Sequence, residues 1–256
     1  MPDAIAPPLR IGLTSKTPHA DFTAITRVAA ALDSQVKRHL GPIWGIHATV
    51  EPVENPVQIP RDMSPIFIVE NTPFNVGGLH TSNDGGRAFA IVLVSRDWGL
   101  GASHECLELL VDPSGNRMTE GIGLQVVEGA VQDSAGRVKY VVEVCDPMED
   151  PSHAYTIDGV VVSDFYTPQY FDDAVTPGGL YSFCGHLERP REVKPNGYLS
   201  WLTPAGKLQQ LRWFGGPAII DLPDHSSATM QDGLSHRQFI DRHTPTPRLK
   251  RSGGPQ

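Results

Sequence analysis

The sequence predicts an α+β (α/β) fold: a mixed sheet backed by one helix and carrying a second, functional helix, followed by a loop-rich C-terminal part. Three observations predict it. An early segment repeats apolar residues at intervals of three and four. Short apolar runs of strand length follow it closely. A compact helix then carries His104-Glu105-x-x-Glu108 and stops before Pro113.

Taken in order, Leu9 to Leu13 reads as a first strand. Phe22, Ile25, Val28, Leu32, Val36 and Leu40 mark an amphipathic helix, with Asp21 as its cap and Gly41-Pro42 as its end. His47 to Val53, Ile66 to Glu70 and Arg87 to Ser95 read as strands. Leu100, Leu107, Leu110 and Val111 then recur at helical spacing. Gly99 and Gly101 blur the start of that helix, and Ser103 is a cap if it starts late. Leu124 to Val131 and Arg137 to Val144 read as a hairpin turning through Asp133-Ser134-Ala135-Gly136. Beyond Thr176 the chain breaks into short pieces at Pro177-Gly178-Gly179, Pro190 and Pro195-Asn196-Gly197. Tyr198 to Trp201 and Leu208 to Trp213 form a second hairpin around Pro204-Ala205-Gly206. The expected organisation is a core over 1–175, a loop-rich cover over 176–243 and a disordered basic tail over 244–256.

The chemistry concentrates on the motif helix. Residues four apart share a helix face, so His104 and Glu108 can offer an imidazole nitrogen and a carboxylate oxygen to one metal ion. Glu105 lies beside them as the candidate catalytic base. A second acidic cluster, Glu143-Val144-Cys145-Asp146-Pro147-Met148-Glu149-Asp150, follows an apolar strand. A hydrolytic zinc site commonly has three protein ligands and one open position. Glu143 is the expected third ligand. Asp146 is the alternative, or it orients His104 from behind. The plainer reading is a charged helix and an acidic surface turn. Cys106 lies two positions from His104 and points away from the ligand face. Cys106 and Cys145 read as small buried residues, with Cys145 as a thiolate ligand the alternative. Two carboxylates and one imidazole make a hard, weakly Lewis-acidic site, which admits manganese or iron beside zinc. Oxyanion stabilisers by residue type are His80, Tyr155, Tyr166 and Tyr198.

The pattern Ser-His-Glu-x-x-Glu-x-x-x-Asp-Pro followed by Glu-x-x-Asp resembles a group of largely uncharacterised bacterial and phage proteins with a zincin-like core. The resemblance runs from about Gly77 to Phe171. It includes Gly78-Leu79-His80 and Val160-Val161-Val162-Ser163-Asp164-Phe165. It implies a zinc peptidase core with a mixed sheet, a backing helix and an active-site helix. His104 and Glu108 match the helix ligands, Glu105 matches the general base, and Glu143 is similar to the glutamate ligand of the gluzincin branch. The chain departs from that pattern in having Glu, not His, as the second helix ligand. It also lacks a downstream helix that clearly carries the third.

Composition narrows the function classes. The formal charge is −8 with no basic stripe outside the tail, which argues against nucleic acid as the main partner. No apolar run approaches membrane-spanning length, and the N-terminus lacks the basic and apolar regions of a signal peptide, so the cytoplasm is the expected compartment. With 25 Gly and 23 Pro, much of the chain is turn and loop. The expectation is a metal-dependent hydrolase that uses a metal-activated water on a peptide or protein substrate. The alternative is a non-catalytic metal-binding or interaction protein of phage or mobile-element association.

Overall fold

Strand β1 (Leu9–Ser15) buries four consecutive residues, Ile11 to Thr14, as a strand covered on both faces must. It pairs in parallel with β2 (Ala48–Pro52) on one side and β3 (Met63–Val69) on the other. β4 (Gly78–Ser82) is an edge strand, antiparallel to β5 (Ala88–Leu93), which pairs in parallel with β3. The order β2-β1-β3-β5-β4 makes a mixed sheet, and the class is α+β, as expected. The structure is a computed structural model that describes residues 8–224 and 233–244. Apart from Thr244, the expected tail lies outside the described residues.

Helix α1 (Phe22–Gln35) packs on β1 and β2. Asp21 caps it, its Oδ1 accepting from the Ala24 N–H at 2.7 Å. The end of the helix differs from expectation. The chain does not stop at Gly41-Pro42 but passes through a π-helical turn, Val36–Leu40, into the short α2 (Gly41–Trp44). Pro42 sits in the first turn of α2, where a missing N–H costs no helical bond, so the apparent stop is a restart. Gly45, at φ 67°, ends it.

Helix α3 (Trp98–Val111) lies over β3, β4 and β5 and also touches α1, so both helices cover one face of the sheet. Leu107, Leu110 and Val111 are buried as expected, and Leu100 is half-buried. Gly101 lets the helix sit close to β5, since a Cβ there would lie 3.1 Å from Val92 Cγ1. Ser103 is not a cap; the helix begins five residues earlier, after Asp97. Its hydroxyl donates to Gln35 Oε1 (2.8 Å) and accepts from the Ser163 N–H (2.9 Å), and Gln35 Nε2 donates back to Ser163 O (2.9 Å). This ring ties α1, α3 and the segment after β9 together. The helix ends at Asp112, before Pro113.

β6 (Met118–Val127) and β7 (Ala130–Val141) form the expected hairpin, but its turn lies elsewhere. It is Glu128-Gly129, both at positive φ (51° and 78°), as a two-residue turn between twisted strands requires. The Asp133-Ser134-Ala135-Gly136 stretch lies inside β7, opposite a register shift between Ile122 and Leu124. A small hairpin, β8 (Tyr155–Ile157) and β9 (Val160–Val162), follows, with β9 against α3. β10 (Tyr198–Leu202) and β11 (Leu208–Trp213) form the second expected hairpin, extended by β12 (Pro217–Asp221). β10 pairs with β7 through Trp201 and Tyr140, so strands from both sides of position 175 share one antiparallel sheet, β12-β11-β10-β7-β6. Trp201 and Tyr140 are fully buried in the main core.

A last helix, α4 (His236–His243), was not expected. Ser235 and Gln238 make a capping box at its start. The Arg237 N–H donates to Gly115 O and the His236 N–H to Asn116 Oδ1, both at 3.0 Å, which docks the helix on the turn after α3. Its body packs against β4.

Candidate metal centre

Helix α3, the turn after β7 and edge strand β4 converge on one acidic cluster. His104 and Glu108 share a face of α3, with His104 Nε2 3.3 Å from Glu108 Oε1. The turn after β7 is drawn in by the Cys145 N–H, which donates to the same Glu108 oxygen at 3.1 Å. That places Asp146 Oδ1 3.2 Å from His104 Nε2. From β4, the fully buried His80 faces Glu105 Oε2 (3.5 Å) and Glu108 Oε2 (3.7 Å) with Nδ1, and Glu143 Oε2 (3.7 Å) with Nε2. Glu105 packs directly on β4. A Cβ at Gly78 would sit 2.5 Å from its Oε1, so only glycine accommodates the carboxylate in this position.

Helix α4 supplies a cation to the middle of this cluster. Arg237 Nη1 contacts Asp146 Oδ2 and lies 3.8 Å from Glu143 Oε2, and Nη2 lies 3.4 Å from Glu108 Oε2. Asp241, one turn along, faces Arg237 Nε at 3.2 Å. Of the expected site residues, His104 lies beside Glu108 and Asp146, whereas Glu143, the expected third ligand, groups with His80 and Glu108 instead of His104, and Glu105 faces His80. His104 groups with Asp146 and Glu149, and also with Glu108 and Cys145.

Burial sets the electrostatics. It pushes the Glu143 carboxyl well above its usual range, although Arg237 pulls the other way. Burial raises Asp146 too, again against Arg237. Glu149 is pushed up to about 8 by burial, with the Asp146 charge adding to it. Asp241 rises to about 7 for the same primary reason. Glu108 behaves oppositely: burial would raise it, but Arg237, His104 and His80 together hold it below the usual carboxylate range. For His104, burial favours the neutral ring, yet Glu108 and Asp146 hold its pKa well above the ordinary value.

The donor set fits a divalent ion. Both His80 nitrogens, Glu105 Oε2, Glu108 Oε2, both Glu143 carboxylate oxygens and Asp146 Oδ1 are buried without a hydrogen-bond partner. Native interiors satisfy such groups with few exceptions. His104 is 13% exposed at its side chain while Glu108 is fully buried, so the histidine marks the solvent side.

Of the other expected residues, Cys106 and Cys145 are buried as small core residues, and the Cys145 thiol reaches His104 O at 3.8 Å. Tyr155 is engaged by Gln35 and His39. The Tyr166 hydroxyl is buried without a hydrogen-bond partner, and its pKa is raised by burial, by Tyr170 and by Glu143. Sequence reading missed Arg237, Asp241 and Glu149. The signal for the first two was Ser235-x-x-Gln238 ahead of Phe239-Ile240, a capping box before an apolar pair. Compared with family models, curated proteins and solved structures, the chain matches none, so the chemistry of this centre is read from its own residues.

Proposed function

We propose that the chain is a metal-dependent hydrolase of peptide or amide bonds, taking zinc first, with manganese or iron as alternatives, and acting on a cytoplasmic peptide or protein substrate. One observation carries the metal reading. Five carboxylates (Glu105, Glu108, Glu143, Asp146, Asp241) share a buried cluster with two imidazoles and one guanidinium. Burial raises Glu143, Asp146 and Asp241, so these carboxyls are held toward their protonated forms unless a further cation joins Arg237. Buried charge left uncompensated is costly, and a divalent cation answers both the charge and the unpartnered lone pairs. His104 would hold it, with either Asp146 and Glu149 or Glu108 as its partners.

When bound, the ion supplies Lewis acidity to a substrate carbonyl and lowers the pKa of a water. Glu105 accepts the water proton and returns it to the leaving amine. His80 Nδ1 lies 3.5 Å from Glu105 Oε2, close enough to pair with that carboxylate when the ring is protonated. Arg237 disperses the charge of Glu108, Glu143 and Asp146 and keeps them apart.

A second reading draws on Arg237. Its guanidinium already faces the central carboxylates, which favours a non-catalytic protein whose acidic centre anchors α4 and binds metal, or a partner, without turnover. The experiment measures metal content of untagged protein beside His104→Ala, then digestion of a peptide library beside Glu105→Gln. The hydrolase reading expects about one metal equivalent lost in the first variant and cleavage abolished in the second. Metal lost in His104→Ala, without cleavage by the native chain, selects the second reading. Failure to take up zinc, manganese or iron in a manner lost in His104→Ala removes the metal from both.

A further inference from the structure

A second cluster of metal-ligating side chains lies outside this centre and shares no residue with it. β9 runs into Ser163-Asp164, and Asp164 is buried to 1% exposure. Its Oδ1 accepts from the Phe165 N–H (2.8 Å) and from the Cys184 N–H (3.0 Å). Its Oδ2 lies 2.9 Å from His186 Nδ1. One carboxylate oxygen thus fixes the backbone of two segments while the other faces outward to the cluster.

The segment bearing Cys184 and His186 is tightly held. The Phe183 N–H donates to Phe165 O (2.9 Å), the Gly185 N–H to Ser182 O (3.0 Å) and the Leu187 N–H to Ser182 Oγ (3.1 Å). Gly185 adopts φ 76°, a left-handed turn between the cysteine and the histidine. As a result, Asp164, Cys184 and His186 each present one ligand atom within 4.8 Å of the others. The His153 ring stands beside His186, with centroids 5.1 Å apart.

We propose that Asp164, Cys184 and His186 form a second metal site for zinc or a similar thiophilic divalent ion, with His153 at its rim as the nearest further ligand. Sulfur, imidazole and carboxylate together match the ligand preferences of zinc. Cys184 is exposed, which gives an ion a route in, and the buried Asp164 supplies a fixed point. A nucleophilic role for Cys184 fits less well, because a neighbouring carboxylate opposes formation of a thiolate unless a cation is present. On binding, Cys184 releases its thiol proton to solvent, and the His186 proton facing Asp164 leaves Nδ1 for Nε2 by exchange with water. The proposal does not depend on the centre at α3.

The test is titration of the reduced, full-length protein with cobalt(II) alone, followed in the near ultraviolet, where thiolate-to-cobalt charge transfer absorbs. A band saturating at one equivalent in His104→Ala, and at no more than two in the native chain, is expected. It should be lost in Cys184→Ser, retained in His104→Ala, and require at least tenfold more cobalt in His186→Gln. Unfolding in chelator should be unchanged in Cys184→Ser, because that side chain is exposed. The absence of any band, its survival in Cys184→Ser, or its loss in His104→Ala would each overturn the assignment.

Discussion

Removing the Arg237 guanidinium tests the acidic centre most directly. Arg237→Met keeps the length and much of the apolar stem but leaves Glu108, Glu143, Asp146 and Asp241 facing one another. In the native arrangement Arg237 Nη2 is 3.4 Å from Glu108 and Nε is 3.2 Å from Asp241. At an effective dielectric of about 20, a charge pair at such a separation attracts by about 5 kcal/mol before desolvation is counted. Desolvation cancels much of that. Breaking a buried pair from one side nevertheless costs about 3–5 kcal/mol, because the stranded charge stays buried. For a chain of this size, that corresponds to a fall in Tm of about 6–20 °C. The assay is urea and thermal unfolding at pH 7, with chelator and then with zinc. Metal at a hundred times its Kd stabilises by about 2.7 kcal/mol, and the variant should gain at least as much as the native chain because no guanidinium competes for the carboxylates. A loss below about 1 kcal/mol would refute the reasoning. So would a variant whose stability responds less to metal than that of the native protein.

Three further outcomes follow from the same structure. Asp241 has a folded pKa of about 7 against an ordinary 3.8, so below 3.8 both states are protonated and no penalty exists. As pH rises from 3.8 to 7 the unfolded chain ionises first, and stability should fall across that window in chelator, by on the order of 4 kcal/mol at the limit; Asp241→Asn should flatten the slope in equilibrium unfolding. Gly197→Ala would place a Cβ 2.4 Å from Pro147 O, a backbone atom beside Asp146, so the urea midpoint should drop by the equivalent of about 1–3 kcal/mol, and an unchanged midpoint would contradict the packing. Ser235→Ala removes the capping box of α4 and should cost about 0.5–2 kcal/mol; hydrogen exchange should quicken in α4 and the turn after α3 before it quickens in β1.

Much of the first sheet was legible, because its strands are short apolar runs and α1 carries an uninterrupted apolar stripe with an Asp cap. The motif helix was legible for the same reason, since Leu107, Leu110 and Val111 hold one face toward the core. Turns were harder to place. Glu128-Gly129 offers only two residues of signal, whereas Asp133-Ser134-Ala135-Gly136 has the composition of a turn but sits in a strand where the partner register shifts. Pro42 misled because proline is a breaker inside a helix and a favoured residue at the start of one. In the centre, the spacing of His104 and Glu108 predicted their shared face, and the strand end predicted the approach of Glu143 and Asp146. Arg237 was illegible as a site residue. Its role comes from long-range docking of α4 on β4, and no local pattern marks a single arginine as the cation of a cluster formed by residues 80 to 146.

The Gln35–Ser103–Ser163 ring has a mechanical consequence. A roll of α3 about its axis would swing His104 out of register with Asp146. Ser103 immediately precedes His104, and its hydroxyl is anchored on both sides, to α1 and to the segment after β9. Rolling must break two buried hydrogen bonds at once. Because Ser163 is the neighbour of Asp164, the same anchor fixes the azimuth of α3 relative to the second cluster. Torque applied at either cluster is therefore transmitted through two side chains and the Ser163 backbone rather than absorbed by a loop.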